Sequence, residues 1–139
     1  MNIKKYLLAA LAGGVGTSVA YVILFFPLNS YLERNILVPA GASSQGSTVS
    51  STVATISMAL IMAYIYPKGY EGGSPVSEGL RFGILIGLLY GIPLTLHFGS
   101  LFPISFGALL LWALIETLKT AAGGLAIGLV YGRMEQTKE

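Results

Sequence analysis

The segment Leu111–Gly128, LWALIETLKTAAGGLAIG, places a carboxylate and an ammonium group three residues apart in a run of apolar or small residues. At about 1.5 Å per helical residue, the run covers most of a hydrocarbon core about 30 Å thick. Charges at that depth need partners, because an unpaired charge in hydrocarbon is costly. The segment therefore predicts a membrane helix that contains a buried polar feature.

The composition of the whole chain also indicates a membrane protein. Of the 139 residues, 54% are hydrophobic and only 10% are charged, against about 25% charged in an ordinary soluble domain. Cysteine is absent, which excludes disulfides, thiolate metal sites and thiol nucleophiles. The net charge of +2 includes no concentrated cationic face, so we exclude nucleic acid as a partner.

Four hydrophobic segments predict an all-α integral membrane four-helix bundle, with residues 1–139 forming a single transmembrane domain. The runs are continuous, whereas membrane β-barrel strands alternate apolar and polar residues. The first run resembles a secretory signal but exceeds the roughly 7–15 apolar residues of a signal core, so we interpret it as a retained span. The predicted spans are about 6–26, 50–66, 79–98 and 105–132.

The basic residues that flank the spans favour a cytoplasmic location for both termini. Lys and Arg next to membrane spans accumulate on the cytoplasmic side. The predicted topology leaves only Arg34 in the two outer loops, and we place the protein in a bacterial inner membrane. The basic residues on the other side are Lys4, Lys5, Lys68, Arg81, Arg133 and Lys138.

The first outer loop contains apolar residues at helical spacing. Leu28, Tyr31, Leu32 and Ile36 share one helical face, which predicts a short interfacial helix on the outer leaflet. An irregular apolar loop is the alternative interpretation.

Small residues recur every four positions in the spans, a pattern that lets helix backbones approach closely in lipid. The pattern favours tight helix packing, either within one chain or between copies. Alternatively, a glycine-lined groove holds a lipid or a quinone. The two most regular stripes are Gly79, Gly83, Gly87, Gly91 and Gly124, Gly128, Gly132; a shorter one in the first span is Ala12, Gly16, Ala20, and a full one in the second is Ser47, Ser51, Thr55, Ala59, Ala63.

Glu116 and Lys119 lie on the same side of the fourth predicted helix and are expected to pair. Two interpretations of the pair remain open. Either it fixes helix register within a polar network, or Glu116 serves a proton or ion relay or anchors a polar ligand head. Ser51 and Thr55 would then line an outer vestibule. Polar residues expected at comparable depth are Thr17, Ser18, Thr55, Ser57, Tyr90, Thr117 and Thr120.

The sequence offers little support for catalysis or for a bound cofactor. His97 is the only histidine and Cys is absent, so no set of converging metal ligands is expected. We interpret His97 as an interfacial side chain hydrogen-bonded to Ser100 or to main chain, with a pH-sensitive gate as the alternative. We predict that the protein is not an enzyme and holds no metal or cofactor.

Three functional hypotheses follow. The first is a packing or accessory subunit that self-associates or joins a larger membrane complex. The second is a small transporter or channel for protons, ions or a small solute that uses Glu116. The third is a groove that binds a lipid or quinone. In all three, membrane lipid is a partner.

Overall fold

The computed structural model describes residues 2–41 and 48–136, in which all regular secondary structure is helical. These described residues contain 4 helices long and apolar enough to cross a membrane. Ser47 and Lys138, which entered the predictions above, lie outside the described residues. The helices are α1 at Ile3–Leu32, α2 at Thr48–Ile65, α3 at Pro75–Leu101 and α4 at Phe106–Gln136.

Helix α4 occupies the centre of the fold. Helices α3 and α1 pack along two of its sides, while α2 packs along α1 and reaches α4 only near its own last turn. Successive helices run antiparallel, as expected for helices joined by short connections. We call the end that holds Asn2 and the α2–α3 connection the terminal end, and the opposite end the far end.

Helix α1 is longer than the first predicted span. It passes Pro27 without ending and continues as a π-helical turn over Glu33–Leu37. Leu32 and Ile36 are 3% and 4% exposed, because they pack in one apolar cluster with the beginning of α4. The face predicted to lie on the membrane surface therefore packs largely against protein. Residues 2–41 show no separate interfacial helix.

Glycines bring α3 and α4 into backbone contact. A Cβ on Gly79 would lie 2.6 Å from the main-chain oxygen of Gly124, and one on Gly87 would lie 2.6 Å from Thr117 Cα. Van der Waals packing between closely spaced backbones is one of the attractions that associate helices in lipid. All seven glycines of the two regular stripes lie at this contact, so these stripes face each other within one chain.

The contact between α1 and α4 uses a different set of small residues from the predicted stripe. Gly13 and Gly16 approach α4, and a Cβ on Gly16 would lie 2.9 Å from the main-chain oxygen of Ala122. Ala12 and Ala20 remain partly exposed. The close approach therefore follows Gly13 and Gly16 and not the full Ala12–Gly16–Ala20 repeat.

Two tyrosines attach the last turns of α2 to the rest of the fold. Pro67 has no N–H, so the main-chain oxygen of Ala63 lacks its usual helical donor. The Tyr131 hydroxyl donates to that oxygen at 3.0 Å, and the Tyr6 hydroxyl donates to the main-chain oxygen of Leu60 at 3.3 Å. Helix α2 is thus fixed to α4 and α1 at its terminal end.

Candidate functional site

Glu116 and Lys119 of α4 form an ion pair with an additional donor. Lys119 Nζ donates to Glu116 Oε1 at 2.8 Å and lies 2.7 Å from Oε2. Trp112 Nε1 donates to the same Oε1 at 3.3 Å. The side chain of Glu116 is 9% exposed and that of Lys119 is 21% exposed. The carboxylate is therefore enclosed, while part of the lysine side chain remains accessible.

The two helices beside α4 cover the ion pair. On the α3 side, Gly91 leaves room for Glu116, because a Cβ at Gly91 would lie 3.3 Å from Glu116 Cβ. On the α1 side, the Tyr21 ring centroid lies 5.5 Å from Lys119 Nζ, within the range of a cation–π contact. The position of the pair thus depends on packing from both sides.

The threonines near the pair do not bind its carboxylate. Each hydroxyl donates to the main-chain oxygen four residues earlier in its own helix: Thr17 to Gly13, Thr55 to Ser51, Thr117 to Ala113 and Thr120 to Glu116. Such bonds satisfy hydroxyl groups locally in a helix. The predicted polar network around Glu116 is consequently reduced to Lys119 and Trp112. The four-residue spacing of Trp112 and Glu116 is the sequence signal for that hydrogen bond.

An open groove of about 820 Å³ lies between α1 and α2, and the Lys119 side chain contributes to its wall. The groove exists because α2 is buried mainly near Ala59 and Ala63, whereas most of its residues between 49 and 57 are exposed. Its volume lies within the range of about 300–1,000 Å³ typical of small-molecule sites.

The polar side chains that line the groove are confined to one of its halves. All its polar lining residues lie toward the far end, whereas Leu7, Leu11 and Leu60 line it toward the terminal end. An amphiphile fits such a gradient, with its head near Lys119 and its chain toward Leu7. The polar lining residues are Thr17, Ser18, Tyr21, Ser51, Thr52, Thr55 and Lys119.

The predicted site residues therefore divide into three groups. Thr17, Ser51, Thr55 and Lys119 line the groove. Glu116 and Thr120 are buried, with Thr120 against α3, and Tyr90 in α3 is 45% exposed.

His97 lies apart from the groove, near the far end of α3, and is exposed. The Ser100 hydroxyl donates to the main-chain oxygen of His97 at 2.7 Å and not to its imidazole. The sequence indicated Glu116 and Lys119 but gave no signal for Tyr21. The contribution of Tyr21 follows from the relative placement of α1 and α4.

Comparison with known proteins gives no match to a protein-family model, to a curated protein or to a solved structure.

Proposed function

We propose that this four-span membrane protein acts without catalysis, as an accessory protein that holds a small amphiphilic molecule of the membrane in the groove between α1 and α2. The groove with its one-sided polarity carries this proposal. It is open along two helices that are long and apolar enough to cross a membrane, so a ligand can enter sideways from the bilayer.

The embedded ion pair supports a binding role. Charged side chains inside membranes commonly face functional cavities. Here Glu116 and Trp112 orient Lys119, whose side chain lines the groove. Fixing a polar group in advance lowers the entropic cost of holding a ligand head.

The same geometry gives weaker support to transport through Glu116. A proton or ion relay needs a carboxylate that solvent can reach, yet this side chain is 9% exposed and already bound by Lys119. Helices α3 and α4 are also in backbone contact beside it, at Gly87.

The proposal also includes the membrane in which the protein lies and its association with other chains. The distribution of Lys and Arg favours cytoplasmic termini in a bacterial inner membrane. Self-association or membership of a larger complex is also proposed. The stripes of α3 and α4 pack against each other within the chain and so do not require a second copy.

Two neighbouring tryptophan substitutions test the binding role. Ala54→Trp fills the groove, since Ala54 lines it, whereas Val53→Trp places the same indole on a 57% exposed site outside the groove. We expect native mass spectrometry of gently purified protein to show at least about a fivefold loss of copurifying amphiphile in Ala54→Trp only. Equal retention by both variants would contradict the proposal.

A further inference from the structure

We infer that the ligand of the groove is an uncharged amphiphile that presents a carbonyl oxygen to Lys119. This inference rests on the proposed binding role and adds the chemistry of the ligand head.

The first argument counts hydrogen-bond donors. A lysine ammonium has three N–H donors. The Glu116 carboxylate lies 2.7 and 2.8 Å from Nζ and can accept at most two of them. The Tyr21 ring, at 5.5 Å, supplies no lone pair. At least one N–H thus has no acceptor among residues 2–41 and 48–136, and a ligand acceptor in the groove would satisfy it.

The second argument concerns charge. Lys119 is the only charged residue among the described residues that line the groove, and Glu116 neutralises it. An anionic head would add a net negative charge with no further cation to balance it, and a cationic head would meet the ammonium. Charges at this depth are tolerated only when they are paired. The charge balance in the groove therefore favours a ligand whose head group is uncharged.

The third argument concerns the rest of the ligand. The groove extends along α1 from Leu7 to Val22, a helical distance of about 22 Å. Its terminal half is lined by aliphatic side chains, so it suits an acyl or isoprenoid chain rather than a compact solute. Two membrane amphiphiles that carry carbonyl oxygens on such chains are a glycerolipid, through its ester groups, and a quinone, through its ring.

A competition experiment tests the assignment. The purified full-length protein is mixed with equimolar dioleoylglycerol, its dialkyl ether analogue, oleate and a decyl benzoquinone, and bound species are counted by native mass spectrometry. We expect the ester or the quinone to exceed the ether about tenfold or more, because a carbonyl oxygen accepts a charge-assisted hydrogen bond more strongly than an ether oxygen does. The preferred arm identifies the source. Preference for oleate, or equal binding of ester, quinone and ether, would overturn the inference.

A double variant tests the role of Lys119 itself. Glu116→Gln combined with Lys119→Met removes both charges together and leaves no unpaired ion. We expect it to bind ester, quinone and ether about equally. A matched control, Glu71→Gln with Arg81→Met, removes an exposed pair 3.5 Å apart outside the groove and should retain the preference. Preference that survives in the first double variant would also overturn the inference.

The two proposals fail in different ways. If Ala54→Trp loses copurifying amphiphile but carbonyl preference is absent, only the ligand assignment is wrong. If Ala54→Trp and Val53→Trp retain amphiphile equally, the groove itself is not the binding site.

Discussion

The contact between α3 and α4 and the contact between α1 and α2 both join apolar antiparallel helices, yet one is closed and the other is partly open. In the first, a Cβ added at Gly79 would lie 2.6 Å from a backbone oxygen of α4. In the second, a Cβ added at Gly14 would lie 3.5 Å from Ala59 Cβ, which is an ordinary contact. Small residues bring two helices into backbone contact only where the backbone of the partner helix is also uncovered by side chains.

The two helix contacts contribute to the candidate site in different ways. The contact between α3 and α4 positions the Glu116 side chain beside Gly91. The contact between α1 and α2 is closed near Tyr6 and Tyr131 and open toward Ser51. A closely packed pair of helices thus holds the ion pair, and a loosely packed pair leaves room for a ligand.

The largest expected effect comes from replacing a glycine by leucine at each of the two helix contacts. Gly87→Leu should destabilise the protein by about 3 kcal/mol, because its side chain must displace backbone of α4. Gly14→Leu should cost less than about 1 kcal/mol, since the groove can accept part of the side chain. Unfolding in mixed micelles, followed by the fluorescence of Trp112, measures both. Similar losses in the two variants would mean that the two contacts are equally tight.

The second test concerns the charges that the closed contact holds. Glu116→Gln should cost about 2 kcal/mol, because Lys119 loses the carboxylate that neutralises it within the membrane. The cost is lower than for a fully enclosed ion, since the Lys119 side chain lines an open groove. Adding Lys119→Met should restore most of the lost stability.

The same unfolding assay evaluates this cycle. With Lys119→Met alone as the remaining member of the cycle, the coupling between the two side chains is negligible if the losses of the two single variants add up to the loss of the double variant. The ion pair would then contribute nothing to the stability difference between the two contacts.

Local patterns in the sequence account for much of the fold. The long apolar runs predict the four helices, and the glycine repeats predict surfaces of close contact, because both depend on spacing within one segment. The spacing of Glu116 and Lys119 likewise predicts their pairing. Features that depend on two segments are harder to predict. The continuation of α1 past Pro27 is one example, since Leu32 and Ile36 are buried by residues at the beginning of α4.

The groove is a second feature that depends on two segments and could not be predicted from the sequence. Thr17 and Thr55 were expected to surround Glu116 because they lie at similar depth. Their hydroxyls are instead satisfied within their own helices, and the side chains line the space between α1 and α2. Depth follows from position along a helix, but the neighbours of a side chain depend on how far two helices diverge.

The smallest expected effect concerns the point where α2 is attached. Tyr131→Phe removes the donor to the main-chain oxygen of Ala63, which Pro67 leaves without a helical partner. The loss should be about 1 kcal/mol, the usual cost of an unsatisfied buried acceptor. Hydrogen exchange should become faster in α2 and stay unchanged in α3. Tyr31→Phe, at a site 45% exposed, serves as the control and should leave both helices unaffected. Faster exchange in α3 than in α2 would contradict this, because it would mean that the contact between α3 and α4 is less stable than the contact that holds α2.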